Sequence, residues 1–289
     1  VLTQEERRSV IFFENSFINP QMLEAAKVFT RIYAGSKWNA ELLNAKGFQN
    51  VQAWAQGINF DIFHPSEKKE SANGKFRVFT GGKLEFRKGQ DIVIAAFKIF
   101  NEKYPDSELV ASWRSPWEFL GLTMGRSTHV KPPVISPDNS FDIKQWLTSE
   151  GIPDLAIVDT GAVPNYAMGE VIRSCDAALF TNRAEGGTNL VAMEAIACGI
   201  PTILSNNTGH LDITEKVPCY ILENQSAVAP IREDEGTEGW GESSIDETVA
   251  MLEKLYLNRD EANVVGTRGA KAIQSWTWEN KIGELMEGL

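Results

Sequence analysis

Nine positions separate Glu185 from Glu194, and the residues between them, Gly186-Gly187-Thr188-Asn189-Leu190-Val191-Ala192-Met193, change from turn-forming to apolar halfway along. An apolar run, 177–180, precedes them, and Ala195-Ile196-Ala197-Cys198-Gly199-Ile200-Pro201 follows. Thr188 or Asn189 can cap a helix beginning at Leu190, Gly199 can end it in the left-handed conformation, and Pro201 keeps it from continuing. The segment reads as a compact βαβ unit. Glu185 falls in the loop leaving a strand's carboxyl end, where open α/β sheets bind ligands. Glu194 falls about one turn into an otherwise apolar helix, where a carboxylate needs a partner. The two vicinal hydroxyls of a ribose would suit it, since one carboxylate can accept from both; a nearby arginine or lysine would suit it equally.

A second loop with chemical content is Thr80-Gly81-Gly82-Lys83-Leu84-Glu85-Phe86-Arg87-Lys88-Gly89, set between a β run and an amphipathic stretch. Glycines let backbone amides approach a ligand, and free N–H groups at a helix start favour an anion. Lys83 and Lys88 bracket the turn, and two ammonium groups can neutralise much of a diphosphate without making the whole protein basic. Taken alone, the segment is first of all an ordinary solvated βα turn. It has neither G-x-G-x-x-G nor G-x-x-x-x-G-K-[ST], so neither a dinucleotide fingerprint nor a Walker loop is indicated.

These loops need strands and helices behind them. Short apolar runs alternate with helical stretches, the rhythm of βα units around a mostly parallel sheet. Strands are expected at 10–13, 31–34 and 51–54, with a helix over 38–46 closed by Gly47. Further strands are expected at 76–80, 108–112, 156–159, 177–180 and 201–204, alternating with helices over 90–103, 141–150, 168–174 and 190–198. Within 90–103, Ile92, Ala96, Phe97 and Phe100 fall near one face, as in a helix covering a sheet. Residues 57–74, with Pro65 and a charged, small-residue stretch, read as an interdomain connection. Residues 115–137 contain Pro116, Pro132, Pro133 and Pro137 and read as a long surface excursion. Residues 231–244 read as an acidic, solvated loop.

The chain of 289 residues is 43% hydrophobic, enough for a substantial core, and its net charge of −11 leaves no global basic field for nucleic acid. Cys175, Cys198 and Cys219 lack metal-like spacing and read as core thiols in a reducing, cytoplasmic setting. No apolar run approaches the ~18 residues of a spanning helix, and no signal peptide is visible. The chain opens on Val1 rather than Met, so upstream sequence is expected to be missing. His64, His129 and His210 are scattered, and no metal is expected; His210, beside Gly209, is the one to watch for ligand contact. The tryptophans read as packing residues, with Trp113, at a strand end, the exception.

In order and separation these segments resemble the retaining glycosyltransferases of family 4, which have the two-domain GT-B architecture. Gly82-Lys83 through Lys88-Gly89 resembles that family's phosphate-binding turn, normally Gly-Arg followed at fixed distance by Lys-Gly. The run from Glu185 to Pro201 resembles its glutamate-pair motif, and Gly57-Ile58-Asn59-Phe60-Asp61-Ile62-Phe63-His64-Pro65 resembles its interdomain hinge. The resemblance implies an α/β fold, a doubly wound, mostly parallel Rossmann-like sheet preceded by the end of a second α/β domain. The expected division is 1–57 for the truncated acceptor-side domain, 58–275 for the nucleotide-sugar donor domain and 276–289 for a C-terminal helix crossing back.

It further implies a hexosyltransferase-like enzyme that moves a sugar from a nucleoside diphosphate to a carbohydrate, lipid-linked or protein acceptor, with retention. No metal or other cofactor and no nucleic acid would be involved, and the setting would be cytoplasmic or at a membrane periphery. Gly82, Lys83, Lys88 and the helix-start amides of Leu190 and Val191 would hold the diphosphate and Glu194 the ribose. Gly186 and Gly187 would face the transferred sugar beside a catalytic Glu185. Two departures stand out. Lys83 replaces the usual arginine and loses its bidentate geometry, and the glutamate spacing of nine exceeds the family's usual eight. The rival expectation is a non-catalytic nucleotide-sugar-binding module, because only about 57 residues precede the hinge.

Overall fold

The computed structural model describes residues 7–66, 74–114, 116–136 and 140–287. The charged stretch at 67–71, read as part of a connection, lies outside the described residues. The first elements are β1 (Arg8–Ile11), α1 (Pro20–Ala26), β2 (Arg31–Ala34), α2 (Lys37–Ala45) and β3 (Val51–Ala53), whose strands form a parallel sheet in the order β1-β2-β3. Local chemistry sets the helix starts: the Asn19 side chain accepts from the Gln21 amide, with Pro20 in the first turn, and Ser36 accepts from Asn39. Ile32, Ala34, Ala40, Leu43 and Phe48 close this small core. The first strand begins and ends two residues before the expected 10–13, because Phe12 and Phe13 leave the sheet. The Phe13 ring sits beside Trp38, their centroids 6.3 Å apart.

The chain continues through β4 (Phe76–Gly81), α3 (Gln90–Lys103), β5 (Ser107–Ser112), α4 (Ile143–Ser149), β6 (Ile157–Asp159), α5 (Asn165–Arg173), β7 (Ala177–Phe180), α6 (Leu190–Ala197), β8 (Thr202–Ser205), α7 (Leu211–Thr214) and β9 (Tyr220–Leu222). Six of these strands make one parallel sheet in the order β6-β5-β4-β7-β8-β9. Alternate residues serve opposite cores. Val78, Leu109, Leu179 and Ile203 join the cluster containing Phe97 of α3, whereas Phe79, Val110, Phe180 and Leu204 join the one containing Ala195 of α6. Strands buried on both faces read as continuous apolar runs, which is why they were visible in the sequence. The strand order reverses between β4 and β7, so the crevice outside their carboxyl ends is the topological switch point, the usual ligand site of a doubly wound sheet.

The acidic segment at 231–244 is not simply solvated. It joins the antiparallel pair β10 (Gln225–Ala227) and β11 (Gly241–Ser243) and lies across the N-terminal residues. Ser16 N donates to Gly236 O at 3.1 Å, Trp38 Nε1 to Glu238 O at 3.2 Å and Trp240 Nε1 to Glu14 O at 2.9 Å, so protein groups satisfy backbone that the charge pattern suggested water would. The excursion after β5 contains a 3₁₀ helix at Glu118–Arg126 that buries Met124. Two further helices, α8 (Ile245–Leu257) and α9 (Arg259–Ile273), precede α10 (Trp278–Met286). The last helix lies on the N-terminal elements: Lys281 O accepts from Trp54 Nε1 at 2.7 Å and Leu285 O from Arg8 NH1 at 2.8 Å. No helix among the described residues is long and apolar enough to cross a membrane.

Candidate functional site

The two sequence-marked loops leave the neighbouring strands β4 and β7 and touch at once. Gly89 has φ +71°, and a Cβ added there would lie 2.1 Å from Thr181 O, so only glycine allows the approach. Thr181 Oγ1 donates to Gly89 O at 2.7 Å. A buried ion pair pins the junction. Arg183 reaches both oxygens of Asp91, at the start of α3, at 2.8 Å each, with both side chains fully buried. The Arg183 guanidinium also donates to Phe86 O at 2.7 Å and lies over the Phe86 ring at 3.8 Å.

Lys88 and Glu185 form a direct ion pair across the loops, and Asn182 Nδ2 donates to the same carboxylate oxygen. Arg87 NH1 stands 3.4 Å from the other oxygen and its NH2 stands 3.1 Å from Glu14 Oε1, so the network extends to the N-terminal residues. Burial opposes ionisation of Glu185, yet Lys88 and Arg87 outweigh it and hold the carboxyl down at about 2. Lys83 stands apart from this group, its Nζ 3.3 Å from Glu85 Oε2 and 5.7 Å from the Trp117 ring centroid. Gly186 and Gly187 are packed against the N-terminal elements. Ser36 Oγ donates to Gly186 O at 2.8 Å, and an added Cβ would meet Phe13 O at 2.5 Å from Gly186 and the Phe12 ring at 3.0 Å from Gly187.

Asn189 caps α6 from the left-handed region, φ 59°, a conformation asparagine tolerates. Its Nδ2 donates to His210 Nε2 at 2.9 Å, which leaves the proton on Nδ1, 3.2 Å from Ser205 O. Burial pushes the His210 pKa down to about 4, so the fully buried ring is neutral near pH 7 and supports the cap. Trp113, singled out as the exceptional tryptophan, is core. It is 1% exposed and packs edge-on against Trp146, because the strand end that carries it lies beneath the excursion. The three cysteines are free, and burial pushes each thiol up to about 12.

At the switch point lies a cavity of about 530 Å³, within the range of small-molecule sites. Gly82, Val191 and Glu194 line it, together with Ser112, Arg114, Pro116 and Glu118 after β5 and residues 161–163 after β6. Glu194 is 8% exposed, and its carboxylate has no ion pair or hydrogen bond among the described residues. Burial alone pushes its pKa up to about 8. Lys83, Lys88, Glu185, Gly186, Gly187 and Leu190 are not among the lining residues. Arg87, Asn182 and Glu14 escaped the sequence reading. Arg87 lies in the loop 80–89, where the available signal is a third cation beside Lys88. Among the described residues no group of three or more His, Cys, Asp or Glu is placed to hold a metal.

The family "Glycosyl transferases group 1" matches residues 63–227. The D-inositol 3-phosphate glycosyltransferase of Arthrobacter sp. (strain FB24) is 23% identical over 168 residues, 56% of this chain and 35% of that protein. The chain therefore spans about a third of the curated relatives it matches. Sucrose-phosphate synthase (tll1590) from Thermosynechococcus elongatus has a similar structure, with TM-score 0.69 and 15% identity over 96% of this chain and 66% of that one. Anabaena Alr3699/HepE in complex with UDP and glucose follows with TM-score 0.68 and 13% identity over 98% and 71%.

Proposed function

The chain belongs to the group 1 glycosyl transferases, and we propose that it binds a nucleoside-diphosphate sugar at the switch-point cavity and transfers the sugar with retention. The observation that carries this reading is Glu194, a buried carboxylate without a partner among the described residues, in one cavity with Gly82 and Val191. A ribose diol supplies two donors to such a carboxylate. Lys83, Lys88, Gly82 and the amides of Leu190 and Val191 hold the diphosphate, where charge develops as the glycosidic bond to the leaving group breaks. With these cations in place no metal is required. The names of the similar proteins, a glycosyltransferase and a UDP- and glucose-bound structure, support a nucleotide-sugar donor.

Lys88 then has two partners. On diphosphate binding its ammonium turns from Glu185 to phosphate, and Arg87, fixed by Glu14, keeps Glu185 ionised beside the transferred sugar, with Gly186 and Gly187. The packing of Phe12 and Phe13 against those glycines favours a second reading, a module that binds donor without transferring it. A binding-only chain would take up the nucleotide sugar and release no free diphosphate with any acceptor.

Calorimetry tests the site itself. A nucleoside diphosphate should bind about tenfold or more tightly than the matching monophosphate, since a second phosphate adds a charge-assisted contact. Equal affinities, or binding of neither, would remove the diphosphate site.

A further inference from the structure

We propose that the cavity selects guanine as the base of its nucleotide, with Glu118 as the specificity-determining residue; this rests on the nucleotide-site reading above. The sheet order β6-β5-β4-β7 sets the polarity of the cavity. Glu194 and Val191 belong to α6, which follows β7, so the ribose and phosphate lie on that side. The segments after β5 and β6 extend the cavity in the other direction, and the base is left to them.

Those segments line the cavity with the half-buried Glu118, with Ser112 and Asn165, and with Ala162 and Val163. The Glu118 side chain lines the cavity with no hydrogen bond or ion pair among the described residues. Arg114, the nearest lining cation in sequence, does not neutralise it, because its guanidinium is held by Asp159 Oδ2 at 2.5 Å and Phe141 O at 3.1 Å. Asp159 also fixes the following turn, accepting from Gly161 N at 3.0 Å. The next two residues, Ala162 and Val163, line the cavity, and their backbone N–H groups have no hydrogen-bond partner among the described residues.

An acceptor-only carboxylate in one cavity with backbone N–H donors suits a base with adjacent N–H donors on one edge and acceptors on another. Guanine answers both requirements: its ring N1–H and amino N2–H can meet the two oxygens of Glu118, and O6 and N7 can accept from the amides. Uracil has one N–H between two carbonyl oxygens, which would face the carboxylate with like partial charge. Adenine and cytosine offer one amino group beside a ring acceptor. A site that pairs with N–H groups rejects ligands lacking them, because its own polar atoms are then left unpaired. The substrate class is therefore a guanosine-diphosphate sugar.

The test is calorimetric titration of the full chain with GDP, UDP, ADP and CDP, repeated on Glu118→Gln. GDP should bind at least ~30-fold more tightly than the others, and Glu118→Gln should lower GDP affinity ~10- to 100-fold, the size of one or two charge-assisted hydrogen bonds, while sparing UDP. UDP, ADP or CDP binding as tightly as GDP, or a Glu118→Gln variant that keeps full GDP preference, would overturn guanine selection and leave the nucleotide site standing. Binding of none of the four would overturn the nucleotide site itself.

Discussion

Glu194→Gln is expected to stabilise the ligand-free protein and at the same time weaken its hold on a nucleoside diphosphate. The carboxyl has a pKa near 8 in the folded chain against an ordinary 4.5, so the folded state binds the proton more tightly than the unfolded state. Stability attributable to this group is then greatest below about pH 4.5, falls as pH rises toward 8 and is level above that. At ~1.4 kcal/mol per pH decade, the wild type forgoes up to about 3 kcal/mol at pH 7, and glutamine should recover about 1–3 kcal/mol after the burial of its amide. Denaturant midpoints between pH 5 and 8 should decline for the wild type and change less for the variant. Above pH 8, where the carboxyl is ionised, affinity should move the other way, by about 1.5–3 kcal/mol, because the amide replaces a charged acceptor of two hydroxyls. A variant that is less stable and binds as well as the parent would mean that Glu194 has an internal structural role.

Arg183→Met should cost more than any other single change considered. It leaves Asp91 fully buried without its bidentate partner, and breaking one side of such a pair costs about 3–5 kcal/mol. Removing both charges should be milder, so Asp91→Leu combined with Arg183→Met should regain part of the loss, the remainder reflecting Glu242 Oε2, which also loses its 2.8 Å contact with Arg183 Nε. Urea denaturation of the three variants reads the difference directly. A single-variant loss below about 1 kcal/mol would show that the pair is not what ties the β7 loop to the start of α3.

The central parallel strands and their covering helices are legible because strands such as β7 and β8 are buried on both faces. The runs 31–34, 177–180 and 90–103 coincide with β2, β7 and α3. The hairpin β10–β11 was not legible: Gln225, Ser226 and Glu242 carry no apolar alternation, and the acidic connection is held by backbone groups reaching Asn15 and Ser16. Glu194 could be picked out as a carboxylate inside an apolar helix, whereas Glu185 and Lys88 were read toward different parts of a ligand. Nothing local marks their ion pair, which joins positions 97 apart in the chain. Glu118 and Arg114 sit in or beside an irregular, proline-bearing segment whose contribution depends on where the fold lays it, so neither residue carried a sequence signal.

If Glu194 holds the ribose diol, one pair of ligands shows it without altering the protein. By calorimetry above pH 8, where Glu194 is ionised, a 2′,3′-dideoxynucleoside diphosphate should bind about 10- to 100-fold more weakly than the parent ribonucleotide, since it lacks both hydroxyl donors and leaves the buried carboxylate unpaired. Equal affinity for the two would contradict the assignment of Glu194.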